Sequence, residues 1–295
     1  MIEFVISLIL LLNPIAAPAA PNIFNFSVQE SGPQKIQNGN MGVKLTASNF
    51  IAKDVESGAI LYSSGENEQT PLASLTKLMT ALVFSDTNPE WQSQIELTQK
   101  DETDGAYPHV YRGEKVTIEN LFNSMLISSD NNSAEALVRS TGLSSEKFVE
   151  RMNMLAANND LKQTHFVDPT GLSAENVSSA ADVARLLELA VLNDDIRKAL
   201  SHKTYSFDIL NSNKIRKIYT TNQLLDSFLN SEKSGYAIIG GKTGFLPEAG
   251  GCLAVMIEKD GRRIISVVLG SSNYDTRFQD TKALVDWVFL NYQWE

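Results

Sequence analysis

The smallest unit of this chain able to carry out nucleophilic chemistry is Ser74 with Lys77, in Pro71-Leu72-Ala73-Ser74-Leu75-Thr76-Lys77. If Ser74 opens a helix, Lys77 lies one turn later on the same face, and hydroxyl and amine come within hydrogen-bond reach. A serine hydroxyl is a poor nucleophile until a neighbouring base takes its proton. A lysine is that base only when desolvation and nearby positive charge lower its pKa, and a helix N-terminus adds potential of that sign. By itself the pair is what any capped helix with a surface lysine offers. A second unit is Ser129-Asp130-Asn131. The Ser129 hydroxyl can relay a proton to a leaving amine and the Asn131 amide can bind a substrate carbonyl. Asp130 suits stabilisation of the turn, and Ser-Asp-Asn is a good turn sequence without any chemistry. The third is Gly240-Gly241-Lys242-Thr243-Gly244-Phe245, read as preceding a strand. The glycines let a ligand backbone approach closely. Lys242 supplies positive charge for a carboxylate and Thr243 a hydrogen bond to it. A phosphate loop is excluded, because Tyr236 stands where its first glycine is required. Lys77 begins the apolar run Leu78-Met79-Thr80-Ala81-Leu82-Val83, so it is expected to be the more desolvated lysine and to act as a neutral amine, with Lys242 charged.

These units need elements to hold them. Asn49–Asp54 and Ala59–Tyr62 read as strands joined at Glu56-Ser57-Gly58, and Cys252–Glu258 and Arg263–Leu269 as a hairpin turned at Asp260-Gly261. Between them, helix spacing runs over 75–84, 118–127, 133–140, 145–158 and 180–191, with Thr117, Ser144 and Ser179 as N-caps. A last helix covers 276–292, with Ala283, Leu284, Trp287, Val288 and Leu290 on its apolar side. Strands, then helices, then strands imply an α+β fold. Its antiparallel sheet is built from both ends of the chain with flanking helices, beside a mainly helical subdomain over about 90–200.

The chain has 295 residues, 43% of them hydrophobic, and a formal net charge of −10, which suits a soluble globular protein and not a nucleic-acid-binding one. His109, His165 and His202 are scattered and the one cysteine, Cys252, lies in an apolar run, so no metal site, no intramolecular disulfide and no cofactor are expected. Cys252 reads as a buried strand thiol. Residues 1–20 carry a short apolar stretch and an Ala17-Pro18-Ala19 cleavage pattern without a positively charged start. They are read as a signal peptide or an N-terminal membrane anchor, the alternative being a buried strand. Residues 21–43 read as a flexible linker and 44–295 as the catalytic domain.

Taken in order, Ser-x-x-Lys, Ser-Asp-Asn and Lys-Thr-Gly are the set found in penicillin-recognising serine enzymes. The chain closely resembles the serine D-alanyl-D-alanine carboxypeptidases, the low-molecular-mass penicillin-binding proteins, from about Ala47 to Trp294. Phe166-Val167-Asp168-Pro169-Thr170-Gly171-Leu172 resembles their Asn-Pro-x-Gly-Leu segment, with Asp168 replacing the Asn. Thr220-Thr221-Asn222-Gln223-Leu224-Leu225 resembles Asn-Thr-Asn-x-Leu-Leu. The resemblance implies a β-lactamase/transpeptidase-like fold, Ser74 as the acylated nucleophile, Lys77 as proton acceptor and Ser129 as proton shuttle. It further implies that Asn131, Lys242, Thr243, Gly244 and Phe245 bind substrate, with the backbone N–H groups of Ser74 and Phe245 as the oxyanion hole. The implied substrate is the peptidoglycan stem pentapeptide, with β-lactams as covalent inhibitors, on the extracytoplasmic or periplasmic face. The family often adds a C-terminal β-domain and anchor helix. This chain stops at Glu295, so any membrane attachment is expected from its N-terminus. A D,D-endopeptidase or transpeptidase uses the same residues. A class A-like β-lactamase would need a Glu-x-x-Leu-Asn that the sequence lacks between Asn131 and Lys242. A penicilloyl sensor would bring several transmembrane helices.

Overall fold

The order of strands in the central sheet follows from where the apolar alternation lies in the chain. β1 (Asn49–Asp54) and β2 (Ile60–Ser64) come from the first part of the chain, β5 (Tyr236–Leu246), β6 (Gly250–Lys259) and β7 (Arg262–Ser271) from the last. They assemble antiparallel in the order β5-β6-β7-β1-β2, so the two ends of the chain meet at the β7–β1 pair. In the computed structural model, residues 32–40, 42–103 and 108–294 are described. The expected leader at 1–20 lies outside them.

β6 shows how the sheet is held. Cys252, Ala254 and Met256 join one apolar cluster and Leu253, Val255 and Ile257 the other, as period-two alternation requires. The second cluster is closed by α7 (Thr276–Asn291) through Phe278, Leu284, Val285, Trp287 and Val288. Leu290, expected on that apolar side, is instead 64% exposed. The first cluster is closed by the helical block. That block comprises α1 (Thr76–Ser85), α2 (Ile118–Ile127), α3 (Asn131–Ser140), α4 (Ser145–Asn158), α5 (Ala180–Leu192) and α6 (Asp194–Ser201). α1 is buried on nearly every side, which identifies it as the central helix of the block. Cys252 is fully buried, and burial pushes its thiol up to about 11, as a structural strand cysteine requires.

Thr117, Ser144 and Ser179 cap their helices as expected, accepting from the N–H groups of Asn120, Lys147 and Asp182. α3 starts two residues early, because Asp130 caps it by accepting from Asn132 and Ser133 N–H. Three features differ from the expectation. The hairpin β3 (Thr204–Ile209) and β4 (Lys214–Tyr219) buries only Phe207, Ile209 and Ile218, too few apolar positions to announce two strands. α6 is a single short amphipathic stretch whose Asn193 cap is also the last cap of α5. Within the segment read as a linker, Gln34–Lys35 pairs antiparallel with Tyr292–Gln293, and Ile36 N–H donates to Asn291 O at 2.8 Å. Trp287 Nε1 donates to Asn40 Oδ1 at 2.9 Å, tying this polar stretch onto α7. Its low apolar content hid a segment held by backbone pairing.

Candidate active site

Ser74 sits in a short 3-10 turn, Ala73–Leu75, that leads directly into α1. Lys77 follows in the first turn of α1, three residues on, which puts it on the same face as Ser74. Lys77 Nζ lies 3.1 Å from Ser74 Oγ. The amine also donates to Asn131 Oδ1 at 2.6 Å and to Thr170 O at 2.5 Å, so three partners fix it. Ala73 has φ +48°, a left-handed conformation unusual for a residue with a side chain, immediately before Ser74.

The second motif occupies the link between α2 and α3. Ser129 is also left-handed, at φ +64°, and partly exposed to the cleft. Asp130 is buried and takes no part in the cleft. Its carboxylate accepts from the N–H groups of His109, Val110, Asn132 and Ser133 and from the hydroxyls of Ser124 and Ser133. Those bonds are what hold Ser129 and Asn131 in their unusual turn.

The third motif lies within β5, not ahead of a strand as read from the sequence. The strand runs beside the Ala73–Leu75 turn, where only glycine fits at 244. A Cβ on Gly244 would lie 2.8 Å from Leu72 O and 3.1 Å from Ser74 N. This brings the Gly244–Phe245 peptide alongside the Ala73–Ser74 peptide. Lys242 Nζ donates to Ser129 Oγ at 2.9 Å and Thr243 O at 3.0 Å. The Thr243 hydroxyl pairs with that of Thr221 at 2.6 Å. A cavity of about 340 Å³ is lined by Ser74, Ser129, Asn131, Thr243, Gly244 and Phe245, so the three motifs open into one cleft. Lys77 and Lys242 stand behind it through their contacts with Ser74 and Ser129.

Among the further residues lining this cleft that sequence reasoning did not single out for a role are Thr221 and Arg277. Thr221 was visible only as part of the segment 220–225. Arg277, in the first turn of α7, is 1% exposed. Its guanidinium donates to Gly244 O at 2.7 Å, lies 3.9 Å from the Tyr274 ring centroid, and leaves Nε without a partner. The spacing Tyr274-x-x-Arg277 is the one signal that could have pointed to it. Among the described residues, no carboxylate lines the cleft and no group of His, Cys, Asp and Glu is placed to hold a metal ion.

Burial dominates the electrostatics. It lowers Lys77 to about 7, opposed by the charges of Asp130, Asp168 and Glu135. Lys242 is lowered well below the ordinary lysine range, by burial first and then by Lys77 and Arg277. The expected contrast in desolvation is therefore absent: the exposures are 0% and 1%. Glycine neighbours bury Lys242 as thoroughly as an apolar helix buries Lys77. What separates the two amines is their contacts, Lys77 with Ser74 and Lys242 with Ser129. If neutral Lys77 is the proton acceptor, acylation should accelerate as pH rises through about 7 and level off once the amine is deprotonated. Stopped-flow acylation by a fluorescent penicillin between about pH 6 and 9 checks this, and a rate that is flat or falls over that interval contradicts it.

The architecture is that of a penicillin-binding serine enzyme. The Listeria monocytogenes Penicillin-Binding Protein D2, solved in its cefotaxime-bound form, is 29% identical and aligns with a TM-score of 0.73 over 85% of this chain and 100% of its own. The chain belongs to the D-alanyl-D-alanine carboxypeptidase family of serine peptidases, Peptidase_S11, whose model matches residues 34–273. The D-alanyl-D-alanine endopeptidase of Haemophilus influenzae is 31% identical over 245 residues, 80% of each chain. The D-alanyl-D-alanine carboxypeptidase DacF of Bacillus subtilis is 29% identical over 257 residues, 84% of this chain and 63% of its own length.

Proposed function

We propose that this chain removes the terminal D-alanine of peptidoglycan stem pentapeptides through an acyl-enzyme on Ser74. The observation that carries the reading is the buried Lys77 amine 3.1 Å from the Ser74 hydroxyl. Lys77 takes the Ser74 proton as Oγ attacks the penultimate carbonyl. The N–H groups of Ser74 and Phe245 receive the oxyanion. Ser129, hydrogen-bonded to Lys242, relays the proton held by Lys77 to the departing amine as the C–N bond breaks, and D-alanine leaves. Asn131 orients the substrate amide. Lys242 and Thr243 hold the terminal carboxylate with Arg277, whose buried guanidinium faces the cleft with Nε unpaired. Gly244 admits the substrate backbone. Water then cleaves the ester and regenerates Ser74. A β-lactam acylates the same hydroxyl.

A second reading, D,D-endopeptidase activity, is favoured by the 31%-identical Haemophilus influenzae relative, which matches over 80% of its length. Mass spectrometry of purified muropeptides after incubation separates the two. Loss of one D-alanine from pentapeptides supports the first reading, and cleavage of cross-linked dimers alone replaces it with the second. Unchanged muropeptides of both kinds refute both.

The substrate places the catalytic domain, proposed as residues 44–295, on the extracytoplasmic side, with residues 1–20 as signal peptide or anchor. Removing residues 1–19 is expected to leave active enzyme in the cytoplasm, checked by fractionation and penicillin labelling. A truncated chain that cannot fold would place the segment in the core.

A further inference from the structure

The loop that carries Thr170 to Lys77 is organised by a single side chain. Asp168 stands where the sequence departs from the segment it resembles, and its carboxylate accepts five hydrogen bonds. Oδ1 takes Thr170 N–H, Thr170 Oγ1 and Gly171 N–H, each at 2.7 Å. Oδ2 takes Ser173 N–H at 2.9 Å and Asn176 Nδ2 at 3.0 Å. Asn176 is fully buried, and its orientation is set by its other partners. Its Oδ1 accepts from Val167 N–H at 2.6 Å and Asp168 N–H at 3.2 Å, so its amide nitrogen must face Asp168. Every neighbour of the carboxylate is thus a donor. These bonds outweigh burial and hold Asp168 below the usual carboxylate range, so it stays ionised.

The loop so fixed touches α1 at two places and the Ala73–Leu75 turn at a third. Thr170 O accepts from Lys77 Nζ, and Pro169 O accepts from Thr80 Oγ1 on the same helix at 2.6 Å. Gly171 packs against the Ala73 carbonyl. We propose that Asp168 is a positioning residue for acylation: its carboxylate folds the 168–173 loop so that the Thr170 carbonyl holds the Lys77 amine against Ser74. The proposal rests on the reading of Lys77 as the base. An asparagine here would turn an NH₂ toward donors on one side or the other, breaking at least two of the five bonds.

The charged groups around Lys77 are Asp130 at the start of α3, Glu135 on α3, Asp168 in the loop and Lys242 on β5. Glu135 is itself pushed up to about 7 by burial, Asp168 and Asp101, so its titration must be separated. The experiment is the pH profile of acylation by a fluorescent penicillin for Asp168→Asn, in the parental and Glu135→Gln backgrounds. Rates are normalised to the labelled fraction. Removing the anion disfavours the ammonium, so the midpoint moves to lower pH in both backgrounds, and the plateau rate falls about tenfold as the hold on the amine loosens. An unmoved midpoint, or a plateau within about twofold of the parent, overturns the proposal. Should Asp168→Asn fail to fold, Thr170→Val decides, since it removes one donor and keeps the charge. A slower plateau with an unchanged melting temperature supports the positioning role, and a parental rate overturns it. A parental enzyme without a titration near neutral pH would instead defeat the assignment of Lys77 as base.

Discussion

Replacing Lys77 by arginine is expected to slow acylation of Ser74 on the order of 10²–10⁴-fold while the protein stays folded, because general-base catalysis is worth that much and arginine remains protonated. The charge is kept and the base is lost, so the variant separates the two roles of the lysine. The amine lies 3.1 Å from Ser74 Oγ and is fixed by Asn131 and Thr170, and no other basic nitrogen among the described residues is hydrogen-bonded to that hydroxyl. Lys242→Arg is the matched control. It keeps a cation for the substrate carboxylate and is expected to retain measurable acylation. Circular dichroism establishes that both variants are folded, and a labelled β-lactam gives the rates. Acylation of Lys77→Arg at close to the parental rate would mean that another group takes the proton.

Gly171→Ala is expected to cost about 2–5 kcal/mol of stability, from a left-handed conformation at about 1–2 kcal/mol and overpacking at about 1–3 kcal/mol. Gly171 has φ +84°, and a Cβ there would stand 2.0 Å from Ala73 O and 3.0 Å from Ser74 N. These are backbone atoms of the Ala73–Leu75 turn, so the clash cannot be relieved by a side-chain rotation. The loop must lift, drawing the Thr170 carbonyl away from Lys77. Thermal unfolding and acylation should therefore fall together. A variant that melts lower but acylates at the parental rate would show that the loop does not position the amine.

The motif residues were legible because their chemistry depends on short spacings that helices and turns preserve. Ser74 and Lys77 are three apart in a tight turn, and Ser129 and Asn131 flank a capping Asp130. The two-ended sheet was legible because β1, β2, β6 and β7 are short apolar runs bounded by turn signals at Glu56-Ser57-Gly58 and Asp260-Gly261. What local sequence could not give was contact between distant elements. Arg277 reads as an ordinary charge in the first turn of a helix, and its role depends on α7 crossing behind Gly244. The burial of Lys242 was misjudged because glycine neighbours suggest openness. Here they allow the Ala73–Ser74 turn and Ala254 O to close in around the strand. The ordering of residues 34–40 was hidden for a related reason: it comes from backbone pairing and amide contacts to α7, which polar composition does not announce.

The central claim is that the hydroxyl of Ser74 carries the acyl group. Peptide-mapped mass spectrometry of the enzyme after brief exposure to a β-lactam tests it most directly. One adduct is expected on the peptide containing Ser74, absent in Ser74→Ala. An adduct on Ser129 or any other residue, or one that survives in Ser74→Ala, would contradict it.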